Sequence, residues 1–113
     1  MRYFIYWNIS EGGELILLTA AALSKFREFI KKNMRHGRYK LGTSFYTVPI
    51  HEVKIENDKV HVFLLIDHNA AGTITQCQLY DNDGDLFADK PDSITKSNIQ
   101  GVLVRFSFLV KEV

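Results

Sequence analysis

The sequence predicts an α+β domain in which one amphipathic helix packs on an antiparallel β-meander or small β-sandwich. Three observations carry this expectation. Val102, Val104, Phe106, Phe108 and Val110 alternate with Leu103, Arg105, Ser107, Leu109 and Lys111, the period of two that a pleated strand imposes. Leu23, Phe26, Ile30 and Met34 instead recur at three- and four-residue steps, the period of one helix face. Asn57-Asp58 and Asn82-Asp83-Gly84 supply residues that accept positive φ in tight hairpin turns.

Taken in order, residues 2–18 read as a hairpin. Aromatic and β-branched residues fill the first strand, Ser10-Glu11-Gly12-Gly13 supplies the turn, and Glu14 to Leu18 returns. Tyr3, Ile5 and Trp7 lie on one side of that first strand with Phe4 and Tyr6 on the other, so it expects cover on both faces. Thr19 occupies an N-cap position and opens a helix expected over residues 20–36. Gly37 takes the C-terminal cap position, with Arg35 and His36 at the negative end of the dipole.

Antiparallel strands are expected over residues 45–112. Phe45 to Glu56 and Lys59 to Asp67 form a hairpin around Asn57-Asp58. If Glu56 opposes Lys59, then Ile55 meets Val60, Val53 meets Val62 and Lys54 meets His61. Continuing that register sets Glu52 against Phe63 and Ile50 against Leu65 on the reverse side, where the helix stripe is the expected cover. Thr73 to Tyr80 alternates, Asn82-Asp83-Gly84 turns into Leu86-Phe87-Ala88, and Pro91 to Gln100 reads as a polar loop before the closing strand. No internal repeat or linker marks a second domain, so residues 1–113 are read as one.

Composition narrows the class. With 46% hydrophobic and 24% charged residues, the 113-residue chain has the make-up of a folded soluble domain, far shorter than the ~250 residues of a barrel enzyme. A lone cysteine, Cys77, excludes an intramolecular disulfide and the paired-thiol redox and zinc patterns. The start of the chain lacks signal-peptide features, and no apolar run reaches the ~20 residues of a spanning helix, so neither secretion nor a membrane partner is expected. The net charge of +1 hides an asymmetry: seven cations and one carboxylate fall between Lys25 and Lys40, six net positive charges against five net negative ones elsewhere.

Candidate chemistry is sparse. Asp81-Asn82-Asp83-Gly84-Asp85 has the flavour of a calcium loop, but aligning Gly84 with the loop glycine leaves Leu79 and Lys90 where carboxylates are needed, so a hairpin turn is the better reading. His36, His51, His61 and His68 lack a metal-ligand spacing, and the register puts His51 and His61 on opposite faces. Cys77 falls on an inward strand position, where cysteine acts as a small hydrophobe. No catalytic, metal or cofactor constellation emerges, and no enzymatic role is expected. The basic stretch reads first as a solvated helix face; alternatively Lys31, Lys32, Arg35, Arg38 and Lys40 contact an anion or nucleic acid.

The C-terminal half, VFLLIDHNAAGTITQCQLYDNDGDLFADKP followed by DSITK and GVLVRFSFLVKEV, resembles short proteins from the tail gene clusters of phages and prophages of Gram-positive bacteria. Some members bear the name ketopantoate hydroxymethyltransferase, a chemistry that needs a much longer metal-binding barrel, and that name is not carried over. The resemblance implies a tail or baseplate component, located in the host cytoplasm or the virion, whose partners are other phage structural proteins or further copies of itself. Tyr3, Ile5 and Trp7 are the expected association surface. The rivals are the nucleic-acid-binding module on segment 25–40 and a small regulatory or inhibitory binding protein.

Overall fold

A computed structural model of the protein describes residues 2–5 and 18–111. It contains β1 (Arg2–Ile5), α1 (Ala20–Lys32), β2 (Met34–Leu41), β3 (Ser44–Glu56), β4 (Lys59–Ile66), β5 (Gly72–Asp81), β6 (Leu86–Lys96) and β7 (Val102–Val110). The fold is α+β, as the periodicities predict. Its strands form one sheet in the order β1-β7-β4-β3-β2-β5-β6, antiparallel throughout except for β1, which runs parallel to β7.

The β3–β4 hairpin follows the register expected from the sequence through Glu56↔Lys59, Ile55↔Val60, Lys54↔His61, Val53↔Val62 and Glu52↔Phe63. Asn57 takes φ +56° in its turn, a conformation that asparagine tolerates better than most residues. Beyond Glu52 a bulge at His51 shifts the ladder, so Ile50 meets Leu64 rather than Leu65. The first part of β3, from Ser44 to Pro49, pairs with β2, whereas the part from Ile50 pairs with β4. One long strand therefore belongs to two half-sheets and bends where it passes between them.

The bend curls the sheet until its two ends meet, with the Phe87 ring of β6 edge-on to Phe108 of β7, centroids 5.6 Å apart. Enclosed between the halves lie Val60, Val62, Leu64 and Ile66 of β4, Ile74, Cys77 and Leu79 of β5, and Val104, Phe106 and Phe108 of β7. Leu23 and Ile30 of α1 join that same buried cluster. The helix thus covers the Val53/Val62 side of the hairpin, not the reverse face carrying Glu52 and Phe63. The reason is that β7 pairs with β4 and brings Phe106 and Phe108 beside Val62 and Val60, widening the apolar surface on this side, whereas Ser107 and Arg105 join His61 and Phe63 on the reverse.

The helix begins as expected, with Thr19 Oγ1 accepting from the Ala22 amide at 3.1 Å. It ends earlier than residue 36. Asn33 caps it, its side-chain amide donating to the Phe29 carbonyl at 2.7 Å. Asn82 then takes the freed Lys32 and Asn33 carbonyls through its side chain and backbone amide, both at 3.0 Å, fastening the helix end to the β5–β6 turn. Gly37 is consequently no helix cap but a strand residue, buried with Tyr39 and Leu41 on the inner face of β2.

The antiparallel strands close on one another because β5 returns beside β2 and β7 beside β4. One further expectation is corrected: Pro91 to Gln100 is not all loop, because β6 continues through Lys96. Proline is tolerated there since β6 is an edge strand. As for the predicted 2–18 hairpin, residues 6–17 lie outside the described residues, and Arg2–Ile5 pairs with β7.

A Cβ added to Gly37 would overlap both Cδ methyls of Leu64, which is fully buried and has little room to give. Gly37→Ala should cost about 1–3 kcal/mol in urea unfolding. Gly37→Ala combined with Leu64→Ala should be less destabilised than the sum of the single changes. Strict additivity would contradict this contact.

Candidate functional site

Away from the helix, the outer face of β3, β4 and β7 forms the wall of a groove of about 730 Å³. Lys54, Glu56, His61, Phe63, Arg105 and Ser107 line it from that face, and Lys90, Asp92 and Ile94 reach it from β6 across the join between the sheet's ends. Among the described residues the join is an open seam, with no ladder between β6 and β7. β1 covers the free side of β7 only from Ser107 to Val110, so among the described residues the Val102 to Phe106 edge has no ladder partner on that side. Nor has the outer edge of β6.

Strand pairing sets the groove's polar contacts. His61 and Ser107 are direct cross-strand partners, and His61 Nδ1 lies 2.7 Å from Ser107 Oγ, both side chains being buried. Burial, followed by the positive charge of Arg105, pushes the His61 pKa below its ordinary value, which favours the neutral imidazole. A serine–histidine pair acts as a nucleophilic dyad when a third group orients the histidine. Among the described residues no carboxylate hydrogen-bonds the His61 ring. The contact instead links β4 to β7 beneath the groove.

Two ion pairs divide the remaining charge. Lys54 and Glu56 sit 3.9 Å apart in solvent, while Lys90 and Asp92, on inward positions of β6, form a tighter 3.1 Å contact. Asp92 Oδ2 is buried and meets the Lys90 ammonium without an aligned hydrogen bond, so its acceptor capacity is incompletely used. Lys59 and Arg105 complete the lining and have no ion-pair partner among the described residues. Among the described residues the lining thus carries more cations than carboxylates.

The other sequence candidates are scattered. Tyr3 and Ile5 belong to β1, where their backbones register with Phe108 and Val110; Trp7 lies outside the described residues. The basic stretch is not a single helix face: Lys31 and Lys32 end α1, whereas Arg35, Arg38 and Lys40 are on β2. Arg38 places its guanidinium 4.0 Å from the centroid of the exposed Phe45 ring, with the Lys40 ammonium 5.6 Å away. His36 stacks on Tyr80 at 5.2 Å, His68 contacts the Tyr46 ring at 4.7 Å, and His51 is exposed at the bulge.

The acidic turn brings single oxygens of Asp81, Asp83 and Asp85 within 4.8 Å of one another. Asp81 Oδ1 accepts the amides of Asp83 and Asp85, both at 3.0 Å, the bonding expected of a turn. Cys77 is buried as expected, and burial raises its thiol pKa to about 11, leaving little thiolate at neutral pH. Lys90, Asp92 and the groove they line were not foreseen. Their alternation with Ala88 and Ile94 was present in the sequence, but charged residues at inward positions concealed the strand. No family model, curated protein or solved structure matches this chain.

The His61 environment has a pH signature. Because its pKa is lowered on folding from 6.5, acidification protonates the unfolded chain first, and the histidine's contribution to stability falls until the pH passes its folded pKa. In urea unfolding at a series of pH values, His61→Gln should lose that part of the dependence below pH 6.5 while wild type keeps it. Equal slopes would contradict a desolvated His61.

Proposed function

We propose that this chain is a structural or accessory component of a phage or prophage tail or baseplate and works by protein association at the open seam. The carrying observation is the Val102 to Phe106 edge, unpaired among the described residues, beside a polar groove, since a free strand edge is a template for another chain. The resemblance of the C-terminal half to short tail-cluster proteins supports the setting. Exposed Leu103, on the same stretch of β7, adds an apolar contact next to that edge.

A second reading has one specific observation in its favour. Arg38 and Lys40 flank the exposed Phe45 ring on the outer face of β2, a combination of cation and aromatic surface that also suits single-stranded nucleic acid. Among the described residues only these two cations share that ring, too few for a long phosphate track, so protein association is preferred.

Particles purified from a host carrying this gene should contain the chain at a fixed ratio to the major tail protein by quantitative mass spectrometry. Its absence from particles and from their assembly intermediates would contradict the tail reading. In parallel, fluorescent single-stranded DNA titrated at two salt concentrations should show no binding; binding that weakens steeply with salt would favour the β2 face instead.

A further inference from the structure

We infer that the seam receives an extended, acidic segment of a partner protein as an added strand on the Val102 to Phe106 edge of β7. This rests on the association reading above and specifies the partner's chemistry. Among the described residues, two open stretches of sheet edge border the seam, β6 and the Val102 to Phe106 part of β7, and they are not equivalent. β6 carries Pro91, which lacks an amide proton, and inward-facing Lys90 and Asp92, two devices that discourage edge pairing. β7 between Val102 and Phe106 has neither proline nor bulge, and β1 already demonstrates that the same edge accepts a strand from Ser107 onward. Of the two edges at the seam, β7 is therefore the receptive one.

Charge selects the occupant. Glu56 and Asp92 each have a lysine partner, which among the described residues leaves Arg105 and Lys59 to meet carboxylates from outside. Arg105 is exposed on the stretch of β7 that has no neighbouring strand among the described residues, so alternate side chains of an added strand on the outer side pass beside it. The groove's volume of about 730 Å³ lies within the ~300–1,000 Å³ typical of ligand clefts, providing room for those side chains. In strand addition, main-chain hydrogen bonds hold the peptide and alternate side chains give selectivity.

The direct test uses a fluorescent seven-residue peptide alternating valine with glutamate, its valine–lysine counterpart, and acidic peptides N-methylated at one or the other set of alternate residues. Anisotropy should show the acidic peptide binding roughly tenfold or more tightly than the basic one, as expected when charged contacts differ by about one tenfold step. One of the two N-methylated registers should abolish binding. Arg105→Glu should weaken it at least about tenfold, while Lys25→Glu on the helix leaves it unchanged. Equal tolerance of both methylated registers would rule out strand addition. Failure of wild type to bind the acidic peptide would overturn the inference while leaving the particle measurement to judge tail association separately. Displacement by single-stranded DNA of equal charge, or a wild-type dimer lost on Arg105→Glu, would assign the seam to nucleic acid or to a second copy and likewise overturn it.

Discussion

The architecture depends on the sharing of β3 between two half-sheets. Ser44 to Pro49 completes the sheet with β2, β5 and β6, and the remainder completes the one with β4 and β7. At the handover stand Pro49, which has no amide to donate, and the bulge at His51, which turns the strand. Because both halves present their apolar rows to the same space, the bend creates the core; because the sheet curls without complete pairing of its ends, the bend also creates the seam. Core and candidate site are two consequences of one kinked strand.

The enclosed space is not purely apolar. Lys96, at the end of β6, is almost completely buried, and its ammonium donates to the carbonyls of His68, Ala70 and Ser97 at 2.5, 3.1 and 2.9 Å. All three of its protons are used, which offsets the cost of removing the charge from water. It ties the β4–β5 connection to the end of β6. At the opposite side of the core, Arg27 binds the Val110 carbonyl through Nε and a terminal nitrogen at 3.2 and 2.8 Å, fixing the helix to the end of β7. These polar anchors hold loops and termini that the hydrophobic pattern alone does not position.

Local features were readable because they depend on residues close in sequence. The Asn57-Asp58 turn sets the β3–β4 register as far as Glu52, Thr19 caps the helix, and Cys77 follows its strand inward. Errors arose where a distant contact decided the outcome. Met34 continues the helix spacing from Ile30, yet Asn82 ends the helix by capturing its last carbonyls, and Leu64 gives Gly37 its strand role. Lys90, Asp92 and Lys96 look like loop residues until their partners are in place. The candidate groove belongs to this second group: its edge exists only after β7 has crossed to β4, which no local spacing encodes.

Amide hydrogen exchange of the free protein, resolved by residue, tests the open seam most directly. Protection should alternate from Val102 to Phe106, where amides facing β4 are bonded and those facing the seam are not, and become more uniform from Ser107 to Val110 beside β1. β4, paired on both sides, should be protected throughout. Uniform slow exchange along the whole of β7 would mean that its edge is already occupied, and the account of an open receptive strand would be wrong.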